Sequence, residues 1–556
     1  MADKMKLGEL LINKGFLSEE KLLLALSYQK ITDTLIGEAL IKLGFNSSLE
    51  IAKALAEQAG IPFLDLSEYS VNEEAIRLIP KNIAEANGFI PLRFDDAEIE
   101  IGMLNPSDIT VLDTVKKLTG KTPRVFMVDK VSFNESIERA YFFLENPIRK
   151  HIDNAIAEIK SSATINASTV AELSEYLIIE GIRRNATDIH ISPEHEIMNV
   201  FYRVDGVMHY GFSIPKVAHN GIALRLKVQA KLDISEQRLP QDGSFNLNLL
   251  NTKYELRVAT TPTIFGENIV IRVLADTGQL LRLNSLGFDE ANTVRLQQLF
   301  QKPHGIILTT GPASSGKTAT LYAALREINL IERNVLTVED PVEYKLSFVK
   351  QSSINIKAGY DFFVAGRNFM RQDPDVMLLG EIRDEETAQI ATRASITGHL
   401  VLSTLRSNDA VTSIPRLLDF KVDKFMVSSS LLAVVAQRLV RKLCRNCMEK
   451  HEITEEEINA FELSKSEEEF VDMAMLKTAY RAKGCKDCED GYMGRTIVGE
   501  IMIVNEEIRE LISEGASLGK IKEAALKNGM VPMKVSAMKK VMEGVTSFEE
   551  IIRVVQ

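Results

Sequence analysis

Eight residues, Gly311-Pro312-Ala313-Ser314-Ser315-Gly316-Lys317-Thr318, restrict what this chain can fold into more than any other segment. They follow an apolar run, Gly305 to Thr310, and open into TATLYAALREI, which reads as a helix. An apolar run without polar alternation is buried on both faces, as in a parallel sheet covered by helices. Strand, glycine loop and helix, in that order, is the context in which such a loop wraps phosphate. Glycine lets backbone N–H groups turn inward, and the helix N-terminus adds partial positive charge. In that arrangement the loop from Gly311 to Thr318, with Ala319 behind it, forms the ATP-binding contacts. Lys317 bridges the β- and γ-phosphates and Thr318 holds Mg²⁺. A glycine turn of chance spacing would leave the flanking strand and helix without a reason.

Three further segments end apolar strands with polar residues, where ligands of open α/β sheets sit. Asn334-Val-Leu-Thr-Val338 runs into Glu339-Asp340-Pro341-Val342-Glu343. Asp375-Val-Met-Leu-Leu379 runs into Gly380-Glu381, followed by Arg383 and a helix. Glu381 either polarises an attacking water or is an acid favouring a helix N-terminus. Thr397-Gly398-His399 precedes a third strand, which ends at Thr404-Leu405-Arg406. His399 either bonds a phosphate or is structural. The catalytic candidates are therefore Glu381, Glu339, Glu343 and His399.

The chain has 556 residues, enough for about three to five domains at 100–200 residues each. It carries 66 basic and 77 acidic residues, a net charge of −11, which argues against broad binding to nucleic acid. No apolar run approaches the ~18 residues of a membrane span, and MADKMKLGELLINKG lacks the apolar stretch of a signal peptide. A cytoplasmic protein is expected.

The N-terminus repeats itself. Residues 6–29 and 35–58 align at an offset of 29, matching Gly8 to Gly37, Glu9 to Glu38, Gly15-Phe16 to Gly44-Phe45 and Ala25-Leu26 to Ala54-Leu55. Each unit reads as helix, glycine turn, helix. One reading is a helical docking domain. Alternatively, the pair resembles the tandem motif of MshE-type N-terminal domains, which implies binding of cyclic di-GMP. That motif opens with Arg; here Lys6 and Leu35 stand in its place.

All four cysteines fall in two pairs, Cys444-x-x-Cys447 and Cys485-x-x-Cys488. Four thiolates so spaced can close on one tetrahedral zinc with no open position for chemistry. Reduced cysteines or a redox pair are the alternative.

Taken together, TVEDPVEY, RQDPDVMLLGEIRDEETA, TGHLVLSTL and the phosphate loop resemble the secretion ATPase family of type II secretion and type IV pilus assembly (the GspE and PilB group). Upstream, Asp188-Ile-His190, Arg203-Val-Asp205-Gly206, Leu239-Pro-Gln-Asp242-Gly243 and Gly266-Glu267 resemble its second N-terminal domain. The resemblance implies an α/β multidomain chain. Helical MshE-like repeats (1–62) and a small α/β part (63–145) come first, then a linker, or a helix plus linker (146–168). A PAS-like α/β second N-terminal domain (169–280) leads to a RecA-like P-loop ATPase domain (281–556), with a tetracysteine zinc module at about 440–500. It implies a homo-hexamer that hydrolyses ATP with Mg²⁺ and turns an inner-membrane platform protein, so the chain sits at the inner membrane through partners. It also implies that Arg257 and Arg272 face a neighbouring subunit's nucleotide. Between pilus extension and retraction, the long N-terminal region and the cysteines favour extension, since retraction motors lack both; a type II secretion ATPase, a weakly hydrolysing regulatory or cyclic-di-GMP-sensing paralogue and a DNA translocase are the alternatives. Arg406, Ser244 and Phe201 stand where the family has His, Arg and Arg.

Overall fold

The computed structural model describes residues 6–66, 69, 71–106, 108–161, 166–275, 282–471, 477–486 and 488–555. They form two compact units, Met1–Thr277 and Gly278–Gln556. Residues 162–165 of the expected linker and the expected boundary at 280/281 lie outside the described residues.

The first unit opens with two helix pairs, Leu7–Asn13 with Glu19–Thr32, then Ile36–Lys42 with Ser48–Ala59. The repeat is structural as well as sequential. Ser18 and Ser47 cap the second helix of each pair by accepting the N–H of Lys21 and Glu50. Gly15 and Gly44 take positive φ, 69° and 72°, at the turns between helices, where a Cβ would be strained. Leu11 and Leu40, at equivalent positions, are fully buried in one small core. Lys6 and Leu35 also occupy equivalent N-cap positions, with φ/ψ of −67°/149° and −68°/148°.

The strand-like runs of 63–145 form a three-stranded sheet, Phe89–Phe94 antiparallel to Glu98–Met103, and Glu98–Met103 parallel to Thr122–Met127. Helices Ile109–Thr119 and Lys130–Glu145 supply apolar residues to its core, Val111 and Val115 from one and Phe133, Ile137 and Tyr141 from the other.

Of the two readings of 146–168, the described residues fit a helix followed by a short connection. Residues Ile148–Ser161 form a helix whose Ile148, Ile152, Ala155, Ile156 and Ile159 are buried. Those positions make one stripe at helical period, and the charged residues between them hide it from a reading by composition. The stripe joins the core of a six-stranded antiparallel sheet, ordered Val207–Pro215, Ile197–Val204, Asp188–Pro193, Gly266–Ala275, Thr252–Thr263, Gln241–Leu249. Helix Ala167–Arg183 covers the same core, with its apolar face on Ile189 and Ile191 of the sheet.

The second unit is built on a seven-stranded sheet ordered Val349–Ser353, Val335–Glu339, Val376–Leu379, Leu400–Leu405, Gly305–Thr310, Leu431–Leu443, Tyr492–Ile503. All neighbours are parallel except the last pair. Gly305–Thr310 and Leu400–Leu405 are buried at every position, as strands covered on both faces must be. Four helices close the chain: Glu506–Glu514, Leu518–Lys527, Met533–Met542 and Phe548–Val555. The last is fastened by Glu550, fully buried, which accepts from Arg441 at 2.8 Å and 2.9 Å and from Arg553 at 2.6 Å and 2.9 Å. No helix among the described residues is long and apolar enough to cross a membrane.

Candidate functional site

Parallel strands bring their C-terminal ends to one edge of the second unit's sheet. Register places Thr310 beside Leu405, and Leu379 beside Ser403. The residues that follow these ends therefore converge: the loop after Thr310, Glu381 after Leu379, Arg406 after Leu405. Side chains hold the ends in step. Ser403 Oγ donates to Leu379 O at 2.6 Å, Thr404 Oγ1 to Gly380 O at 2.8 Å, and Thr310 Oγ1 to Ser407 O at 3.1 Å.

The phosphate loop has the backbone its glycines promised. Gly311 has φ 148°, Ser314 φ 59° and Gly316 φ 88°. A Cβ on Gly311 would lie 2.5 Å from Gln437 O and from Ser315 Oγ, so the loop closes only over glycine. Gly316 caps the helix Lys317–Glu327, aiming its free N–H groups at the loop. Pro312, Ala313 and Ser314 are exposed on the loop's outer side. The Lys317 ammonium lies across it, donating to Gly311 O at 2.9 Å and Pro312 O at 2.6 Å. Burial holds the Lys317 pKa below the usual lysine value, helped by Arg406 and Arg438 and opposed by Glu381. Amide donors, a lysine and a helix N-terminus around one cradle fit a polyphosphate tail, and the half-buried Thr318 on the first helical turn fits its magnesium.

One residue of this site escapes a motif search. Gln437, fully buried on the strand Leu431–Leu443, donates from Nε2 to Ser315 O at 2.9 Å and accepts from Thr320 Oγ1 at 2.9 Å. It ties the loop and the helix behind it to the neighbouring strand. Its only signal in the sequence is a lone amide within the apolar run LLAVVAQRLV.

The predicted carboxylates separate by environment. Glu339 is buried and accepts from Tyr322 Oη, from Thr337 Oγ1 at 2.6 Å and from Gln351 Nε2 at 3.2 Å. These bonds fasten Tyr322, and thereby the helix Lys317–Glu327, to the adjacent strand end. Glu343 is exposed in the following loop, where its backbone N–H donates to Tyr322 Oη at 3.2 Å. Glu381 stands between two guanidinium groups, Arg383 Nε at 2.7 Å from Oε2 and Arg406 Nε at 2.8 Å from Oε1. Burial opposes its charge, but Arg383 and Arg406 outweigh that and hold the carboxyl below the usual carboxylate range.

His399 is a correction. It precedes the strand Leu400–Leu405 at its N-terminal end, and its carbonyl accepts the N–H of Gly305, the first residue of the loop's own strand. Five residues at about 3.3 Å each set it roughly 17 Å from the edge that carries the phosphate loop. Its ring caps the preceding helix instead, with Nδ1 2.8 Å from Ala394 O. The motif that supplied His399 delivers Arg406 to the active edge.

In the first unit, Arg257 and Arg272 are directly opposite on neighbouring strands. The row continues through Asp188 to Arg203 on one side and to Ser244 on the other. Cross-strand partners share a face, so three arginines line up across the sheet. Asp188 pairs with Arg272 at 2.9 Å and Arg203 at 3.8 Å, and Glu255 with Arg257 at 3.2 Å.

The four cysteine sulfurs lie within 4.8 Å of one another, with Cys444–Cys485 at 3.9 Å, Cys447–Cys488 at 3.7 Å and Cys485–Cys488 at 3.5 Å. Four thiolates at about 2.3 Å from one tetrahedral zinc stand roughly 3.8 Å apart, so the set fits that ion. Burial pushes the Cys444 thiol up to about 11 and raises Cys488 too, so thiolates here need a cation among them.

A family model described as "Type II/IV secretion system protein" matches residues 164–553. An MshEN domain model matches residues 59–144, the small α/β part, and leaves the helical repeats outside it. A type IV pilus assembly ATPase PilB of Myxococcus xanthus is 36% identical over 98% of this chain and 98% of its own. A type II secretion system protein E of Xanthomonas campestris is 35% identical over 93% of this chain and 92% of its own. Among solved structures, the ATPase DotB of Legionella pneumophila shares the fold, with TM-score 0.50 and 18% identity over 68% of this chain and 95% of that one. The chain belongs to the type II/IV secretion system protein family, that of the secretion and pilus-assembly ATPases.

Proposed function

We propose that this chain is one subunit of a hexameric motor that hydrolyses ATP to drive type IV pilus extension through an inner-membrane platform protein. The observation that carries the reading is the meeting of Lys317, the loop amides and Glu381 at one sheet edge. ATP would supply the phosphoryl group; Thr318, with Glu343 as a candidate carboxylate, would hold Mg²⁺, which would neutralise phosphate charge. Lys317 and the loop amides orient the phosphates. Glu381 orients the attacking water and accepts its proton, once relieved of an arginine. Arg257 and Arg272 of a neighbouring subunit stabilise the developing charge. Cys444, Cys447, Cys485 and Cys488 hold a structural zinc that pins strand Leu431–Leu443 to the segment before Tyr492–Ile503.

The experiment is steady-state ATP hydrolysis by the wild type beside Glu381→Gln. The motor reading requires a wild-type rate about 10²- to 10³-fold above the variant's. Equal rates sink it. The secretion reading keeps one specific support, the protein E relative matched along nearly its whole length; complementation of a pilus-extension mutant against a secretion mutant separates the two. Metal analysis of purified protein should find one zinc per chain, lost in Cys485→Ser.

A further inference from the structure

We infer that Arg406 reads the third phosphate of the bound nucleotide, exchanging its ion pair with Glu381 for that phosphate and so freeing the carboxylate. The inference rests on the ATPase reading and deepens it.

Three observations carry it. First, Arg406 follows the strand end that lies beside Thr310, the residue before the loop, and it lines a cleft with Gly311 and Pro312 of the loop's first turn. It reaches Glu381 through Nε, and its side chain is 70% exposed. Second, the two arginines on Glu381 are fixed unequally. Arg383 also pairs with Asp340 at 3.4 Å and lies over the Phe362 ring at 5.7 Å. Among the described residues, the salt-bridge partner of Arg406 is Glu381 alone. Third, the backbone beside Arg406 is anchored to the loop's own strand, through Thr310 Oγ1 on Ser407 O at 3.1 Å. A charge placed over the loop is thus within the reach of a side chain whose base does not move. A phosphate offers more negative charge and more acceptor oxygens than one carboxylate, and guanidinium matches it in two-pronged geometry.

While both guanidinium groups hold it, each Glu381 oxygen faces a cation, which makes it a weaker acceptor of a proton from water. Departure of Arg406 leaves one oxygen, Oε1, without its cation and the other still aligned by Arg383. A diphosphate does not reach far enough to draw Arg406 away, so the carboxylate is released only when hydrolysis has a substrate.

The test is calorimetry with magnesium, titrating ADP and then the β,γ-imido analogue of ATP into wild type, Arg406→Ala, Arg406→Lys and Glu381→Gln. Arg406→Ala should keep ADP affinity within about 2-fold and weaken the imido analogue by about 10- to 100-fold. Arg406→Lys should recover part of the difference. Glu381→Gln should bind the imido analogue several-fold more tightly than wild type, because no ion pair must break first. That gain should vanish in Arg406→Ala/Glu381→Gln. Equal effects on both nucleotides, or a gain that survives without Arg406, overturn the exchange while leaving the ATPase reading intact. A wild type that binds neither nucleotide overturns both.

Discussion

The two large sheets of this protein carry their charges in different places. In the first unit's antiparallel sheet, Arg203, Asp188, Arg272 and Arg257 run across one face, because the other face is the core. In the second unit's parallel sheet both faces are covered, so polar groups collect at the edge where strands end. The face presents a row of charges spread across neighbouring strands. The edge makes a deep cluster in which a lysine, a carboxylate and arginines act on a few atoms. Strand direction, rather than composition, decides which kind of site a sheet provides.

That contrast can be broken most directly at the edge. Lys317→Ala should lower ATP turnover about 10³-fold, measured at saturating nucleotide, since it removes a charge aimed at the transferring phosphate. A residual rate within 10-fold of wild type would show that the edge is not the reaction centre. Next in size is a control away from it. Glu550→Ala strands Arg441, whose side chain is 12% exposed, and should cost about 3 kcal/mol of stability in denaturant unfolding. Nucleotide affinity of the folded fraction should be unchanged.

The face is tested by Arg272→Ala, which should lower turnover about 10-fold or more in the assembled protein. Affinity for ADP should stay within about 2-fold, and equal losses in both would place Arg272 in folding instead. The smallest expected effect is a pH dependence. Burial opposes charge on Glu550, but Arg553 and Arg441 hold its pKa below the ordinary 4.5. Its contribution is therefore fully present above about pH 4.5 and lost as pH falls through the lower folded value. Acid unfolding of Glu550→Gln should show a shallower fall in that window than wild type.

The backbone of the candidate loop was legible because its glycine spacing, between a buried strand and a helix, favours one local solution. Glu381 was legible for the same reason, at the end of an apolar strand. His399 misled because it lies before its strand, whereas only residues that follow a parallel strand reach the edge that carries the loop. The helix Ile148–Ser161 was legible only as one of two readings, because its five buried positions are scattered among charges. Gln437 carried almost no signal, since an amide within an apolar strand gains its role only from the loop packed on it.

By itself, the order of residues determined the phosphate loop, the repeated N-terminal helices and the paired cysteines, since each depends on neighbours within a few positions of the chain. Tertiary structure alone decided that Arg406 meets Glu381, that Glu339 bonds Tyr322, and that four sulfurs separated by up to 44 positions share one sphere. Those pairings join residues whose distance is set by strand register and sheet order, which no local pattern records.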